Sequence, residues 1–201
     1  MASTGGRACG GGGPGAVEPS VPPDASEVIV RASPPPSIVL PAIPVPGTAA
    51  PTPSPTIPAD RVATRVVVPA LKIDLPIVKG PPSTVLCNVA MYAEAAGLVQ
   101  PGFPGSVYLY GHARKGMFLP LLDQSKKSNG QGMIGMLVDV YTSDSQLLTY
   151  SITEVRRHVP KTVGFEDPLS RTTETLWLQT SEGPKGTPTV LQVLAEPFGS
   201  G

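Results

Sequence analysis

An imidazole and a hydroxyl stand at comparable places in this 201-residue chain, each just past a short apolar run. His112 follows Ser106–Tyr110 and Gly111 in the stretch SVYLYGHARKGMFLPLL. The run of β-branched, aromatic and aliphatic residues reads as a strand. Gly111 can end it, because glycine tolerates backbone angles that other residues avoid. Ser181 follows Glu174–Thr180, ETLWLQT, a second strand, and opens the Gly/Pro loop SEGPKGTP. If both strand ends lie on one rim of a barrel, the two side chains come close. A serine hydroxyl is a weak nucleophile until a base takes its proton. Imidazole is the side chain whose ordinary pKa suits that task, and the chain has only two histidines. Arg114 and Lys115 form a basic turn after His112, and Lys185 sits in the loop after Ser181. The alternative for His112 is a half-exposed surface residue with no duty.

Other reactive residues are less well placed. Cys87 lies in the apolar run LCNVAMY and reads as a small buried hydrophobe rather than a displaced nucleophile. His158, beside Arg156 and Arg157, reads as part of a solvated hairpin face. Trp177 belongs to a core, and strand alternation sets it on the face opposite Leu176 and Leu178.

The elements that must position these residues follow from composition. Residues 1–60 alternate proline with small and apolar residues, as in SPPPSIVLPAIPVP. Proline fixes its own φ, removes a donor and pushes its neighbour towards extended conformations. This segment is expected to be a disordered, polyproline-rich stalk. From residue 61 the pattern changes. RVATRVVVP and ALKIDLPIV read as strands, the second with Leu71, Ile73 and Leu75 alternating against Lys72 and Asp74. Leu86–Gly97 reads as one or two helical turns with Val89, Met91 and Tyr92 facing in. Met117–Leu122 reads as a short helix and Lys126–Gly132 as a solvated loop. Met133–Ser143 and Gln146–Val155 form a hairpin. Thr162–Arg171 is a loop, and Thr189–Ala195 is the last strand. Short strands separated by turn signals predict an all-β fold, a closed barrel or sandwich of about 140 residues.

Charge narrows the function. Fifteen basic and fifteen acidic residues balance, so nucleic acid is a poor partner. Two cysteines in unrelated contexts give neither a disulfide framework nor a metal cluster; no metal or other cofactor is expected. No run reaches the roughly 18 apolar residues that span a bilayer. No apolar region follows Met1, so any membrane anchor or secretory signal is expected upstream.

Residues 61–198 resemble a sortase domain, the fold of bacterial cell-surface cysteine transpeptidases. IDLPIV at 73–78, NVAMY at 88–92, YLYGHARKGMF at 108–118, TLWLQTSEGP at 175–184 and LQV at 191–193 carry the resemblance. It implies a sortase-like closed β-barrel with short helices behind the stalk. It also implies a histidine after the fourth strand, a cysteine ending the seventh and an arginine in the eighth. His112 matches the first. Thr180-Ser181 matches the Thr-Cys pair with serine in the thiol's place. No arginine stands near Thr189 or Val190; Arg114 or Lys185 is the available substitute, and Glu182 adjoins the site as the nearest acid. The resemblance implies a cell-surface peptide or protein substrate bearing a sorting signal, and a cell-wall or protein amine as acceptor. The protein is then expected outside the cytoplasm, at the cell surface. A thiol can be held as thiolate beside imidazolium, and a hydroxyl cannot. Two readings follow: acyl-enzyme transpeptidation or hydrolysis with weak or no turnover, or a catalytically silent peptide-binding or structural module, a pseudoenzyme.

Overall fold

The computed structural model describes residues 56–80 and 84–199. The expected stalk therefore lies, as far as residue 55, outside the described residues.

The first two strands form as their alternation dictates. In β1 (Ala63–Val68) residues Ala63, Val66 and Val68 turn inward. In β2 (Ile73–Lys79) Ile73, Leu75 and Ile77 do so, while Asp74 and Pro76 face out. A 3₁₀ turn at Pro69–Leu71 joins them, closed by Lys72 in the left-handed region at φ 53°. The remaining strands are β3 (Ala90–Tyr92), β4 (Ser106–Gly111), β5 (Leu137–Thr142), β6 (Leu147–Pro160), β7 (Thr175–Ser181) and β8 (Thr189–Pro197). They close into one barrel in the order β1-β2-β3-β4-β7-β8-β6-β5. Closure leaves no unpaired sheet edge. The helices are short: α1 (Leu119–Ser125) and α2 (Glu166–Ser170). The fold is thus the all-β closed barrel with short helices that the sequence leads one to expect.

The main core fills the barrel, with Leu109, Phe118, Leu121, Val140, Leu176 and Leu178 all inaccessible to solvent. A smaller cluster of Tyr108, Trp177 and Leu194 sits on the opposite face of β4, β7 and β8. Trp177 is therefore buried where strand alternation puts it, covered by Arg156 and Arg171, whose guanidinium carbons lie 5.3 and 5.7 Å from its ring centre. Burying such side chains contributes about 1.5–3 kcal/mol each.

Four local expectations are corrected. Leu86–Gly97 is not helical. Asn88 adopts φ 63°, which a helix cannot accommodate, and Ala90–Tyr92 forms β3, parallel to β2 and antiparallel to β4. Its three residues are all buried, so the strand shows none of the alternation that reveals a half-exposed one. The helix expected at Met117 begins two residues later, with Pro120 in its first turn, where a missing N–H costs nothing. Lys126–Gly132 is not simply a solvated loop: a 3₁₀ stretch, Ser128–Met133, buries Gly130 and Met133. A side chain on Gly130 would meet Val155 at 2.5 Å. The loop Thr162–Arg171 contains α2.

Candidate active site

β4 and β7 run parallel, in register from Ser106↔Thr175 to Gly111↔Thr180. The pair is tied at both ends. Near its start, the Ser106 and Thr175 hydroxyls lie 2.9 Å apart and Trp177 Nε1 donates to Ser106 Oγ at 3.1 Å. At its finish, Thr180 Oγ1 donates to the Gly111 carbonyl at 2.9 Å. His112 and Ser181 are the next residue on each strand, so register brings both to one rim. Ser181 in turn pairs with Val190 across β7 and β8.

A groove of about 850 Å³ opens at this rim. His112, Ser181, Thr180, Arg114 and Lys185 all line it, together with Val190 and Lys161. All five candidates from the sequence are thus brought together; Lys161, at the end of β6, gives no sequence signal. Thr180 is buried and faces the barrel side, and its hydroxyl donates to the Gly111 carbonyl.

His112 Nε2 lies 2.9 Å from the Val85 carbonyl oxygen. A carbonyl only accepts, so Nε2 donates, and Nδ1 is the ring nitrogen left to accept a proton. Glu182, the acid adjoining the site, does not orient this imidazole. Its carboxylate turns to the irregular part of β6, accepting from Arg157 Nε at 3.3 Å and the His158 backbone N–H at 2.8 Å. His158 Nδ1 lies 3.0 Å from it as well. The Glu182 side chain is 5% exposed. His158 is exposed as expected, but it is not merely solvated: it has φ 60°, where the pairing of β6 with β8 slips between Arg156 and Val159.

Cys87 is exposed, not buried. Residues 84–88 run along the surface, and Arg114 Nη1 lies 3.3 Å from Cys87 Sγ. An apolar run crossing the mouth of a groove has lost its sequence meaning as a core segment. Opposite Ser181, where the resemblance calls for arginine, Val190 is 3% exposed. The rim carries no guanidinium at that place.

A second hollow of about 630 Å³ shares Thr84, Val85, Tyr110 and Gln179 with the first. Phe165 stacks on Tyr108, ring centres 4.6 Å apart. The Lys79–Glu94 ion pair stands at its border. Beneath it, the fully buried Gln192 donates to the Tyr108 hydroxyl at 3.0 Å and to the Gly164 carbonyl at 2.6 Å. Tyr108 Oη also bonds Gln179. Burial pushes the Tyr108 and Tyr110 phenols above their ordinary pKa, so both stay neutral donors at physiological pH. Gln192 and Phe165 were not foreseen. The one available signal was a lone amide inside the apolar run VLQVLA.

A family model described as a sortase domain matches residues 66–196. The chain belongs to the sortase family. Solved sortases share the fold. Sortase A of Listeria monocytogenes is 19% identical over 68% of this chain and 86% of its own, with a TM-score of 0.51. A lid mutant of sortase A from Corynebacterium diphtheriae is 18% identical over 69% and 72%, with a TM-score of 0.53. A sortase C1 from Streptococcus suis is 20% identical over 68% and 72%, with a TM-score of 0.53. A search of curated proteins finds no match. Among the described residues no helix is long and apolar enough to cross a membrane, and no group of side chains is arranged to hold a metal ion.

Proposed function

We propose that this sortase-family domain binds a sorting-signal peptide at the cell surface, with Ser181 in the nucleophile's place and His112 as its base, and turns it over weakly or not at all. The observation that carries this reading is the register of β4 and β7, which ends both strands at one rim, where His112 and Ser181 line the same groove. In the reaction, Ser181 Oγ attacks the scissile carbonyl carbon and its proton passes to His112 Nδ1. The imidazolium returns that proton to the departing amine, leaving an ester on Ser181. An acceptor amine then attacks the ester and regenerates the hydroxyl. Weak turnover has two physical causes. A neutral hydroxyl lacks the thiolate's nucleophilicity. The β8 position opposite it is Val190, so no arginine from that strand meets the oxyanion; losing one such donor typically costs about 10²–10³ in rate.

A second reading, a silent peptide-binding module, is favoured by one observation: the β8 position opposite Ser181 is a buried valine, Val190. The two are separated by incubating the full chain with a panel of sorting-signal peptides and with a serine-reactive fluorophosphonate. Labelling at Ser181 that is lost in His112→Ala, with slow cleavage, supports catalysis. Binding without label or product supports the silent module. Neither binding nor labelling would remove the peptide reading altogether.

A further inference from the structure

The groove at Ser181 has a charge of one sign. Arg114, Lys161 and Lys185 line it, and no aspartate or glutamate does. The three come from different segments: the turn after β4, the end of β6, and the loop between β7 and β8. Among the described residues, none of the three takes part in an ion pair. Elsewhere Arg61, Arg65, Lys79, Lys126, Arg156 and Arg157 have carboxylate partners, and the other unpaired described cations, Lys72, Lys115, Lys127 and Arg171, lie outside this groove. The nearest acid in sequence, Glu182, is withdrawn onto Arg157 and His158 and nearly buried. Lys161 N donates to the Pro188 carbonyl at 3.0 Å, which fastens one lysine-bearing segment to the loop that carries the other.

We infer that this groove selects a peptide carrying a carboxylate, an acidic side chain or a free C-terminus, close to the bond presented to Ser181. The inference rests on the peptide-binding reading above and narrows its substrate class. A chain of zero net charge offers no general attraction for anions, so the preference belongs to the groove. Cations converging on a cleft raise the local concentration of an opposite charge. The neighbouring hollow, lined by Tyr108, Tyr110 and Phe165, asks for an apolar segment of the same ligand. An apolar part and an anionic part on one extended molecule describe a peptide better than a free ion. The guanidinium of Arg114 can grip a carboxylate with two parallel bonds, and the lysines act as point charges.

Calorimetric titration of the full chain with three short peptides of one apolar sequence tests this. The first carries Gln and an amidated C-terminus, the second Glu and an amide, the third Gln and a free carboxylate. At low salt at least one charged peptide is expected to bind about tenfold tighter than the neutral one, and the gap should close as salt screens it. Which charged peptide wins names the source of the carboxylate. The triple variant Arg114→Gln, Lys161→Gln, Lys185→Gln should bind all three alike, near the neutral peptide's affinity. Lys185→Glu alone should narrow the gap, which keeps the test open if the triple variant does not fold. Lys72→Gln with Lys127→Gln, cations beside α1, should leave the gap unchanged. Equal binding of the three peptides overturns this inference and leaves the peptide-binding reading standing. A preference that survives the triple variant, or that vanishes in the Lys72/Lys127 variant, overturns it too. No binding of any peptide removes both.

Discussion

The two ends of the β4–β7 pair are built from the same register and treat polar groups in opposite ways. At the start of the strands every polar group is matched. Ser106, Thr175 and Trp177 bond one another out of solvent. Nearby, Glu174 accepts from the Gly102 N–H at 2.7 Å and from Tyr150 Oη at 2.5 Å. Arg61, 9% exposed, pairs with Asp144 at 2.6 Å. At the finish, the Ser181 hydroxyl forms no hydrogen bond among the described residues, and the three cations around it have no carboxylate partner. A buried polar group must be bonded or it destabilises the fold. A group left unmatched at a rim keeps its bonding capacity for something else. The comparison assigns stability to one end and ligand chemistry to the other.

The sharpest way to break that division is Trp177→Ala. It empties the cluster with Tyr108 and Leu194 and unties Ser106, and should lower the free energy of unfolding by about 3–5 kcal/mol in urea titration. A loss below about 1 kcal/mol would mean that the matched end is not where stability resides. Thr180→Val should cost about 1 kcal/mol, because it removes the hydroxyl bonded to the Gly111 carbonyl. If peptide binding falls more than stability does, Thr180 touches ligand, and the line between the two ends must be redrawn.

The Arg61–Asp144 pair adds a pH dependence. Bonds from Arg61, then from Thr142, hold the Asp144 carboxyl below its ordinary pKa. The folded state therefore binds that proton less readily than the unfolded chain does. The stabilisation is complete above the unfolded value, about 3.9, and is lost as pH falls through the folded one. Asp144→Asn should flatten the decline of thermal midpoint in acid while leaving peptide binding alone. The smallest effect on stability is expected at the rim. Ser181→Ala should change unfolding free energy by no more than about 0.5 kcal/mol while abolishing fluorophosphonate labelling.

Much of this was legible in the sequence, for a physical reason. β2, β5 and β6 each have one face towards water, so alternation betrays them. The strand ends at His112 and Ser181 are marked by the glycine and the Gly/Pro loop that stop the ladders. β3 was misread because all three of its residues are buried and carry no periodicity. Cys87 was misread because an apolar run can cross a groove as well as fill a core. The partnership of Glu182 with Arg157 and His158 spans two strands of the barrel and depends on a slip in the β6 ladder. Nothing local announces it. Lys161 joins the groove only because β6 runs on to Pro160, five residues past the expected end of the hairpin at Val155.

The claim that Ser181 and His112 share one site is tested most directly by the acidity of a thiol placed there. In Ser181→Cys, the pH dependence of alkylation is followed by mass spectrometry on the peptide containing position 181, with and without His112→Ala. An adjacent imidazolium should hold the thiol well below its free pKa of about 8.5, and removing the ring should return it towards that value. The same titration curve in both proteins would contradict the account.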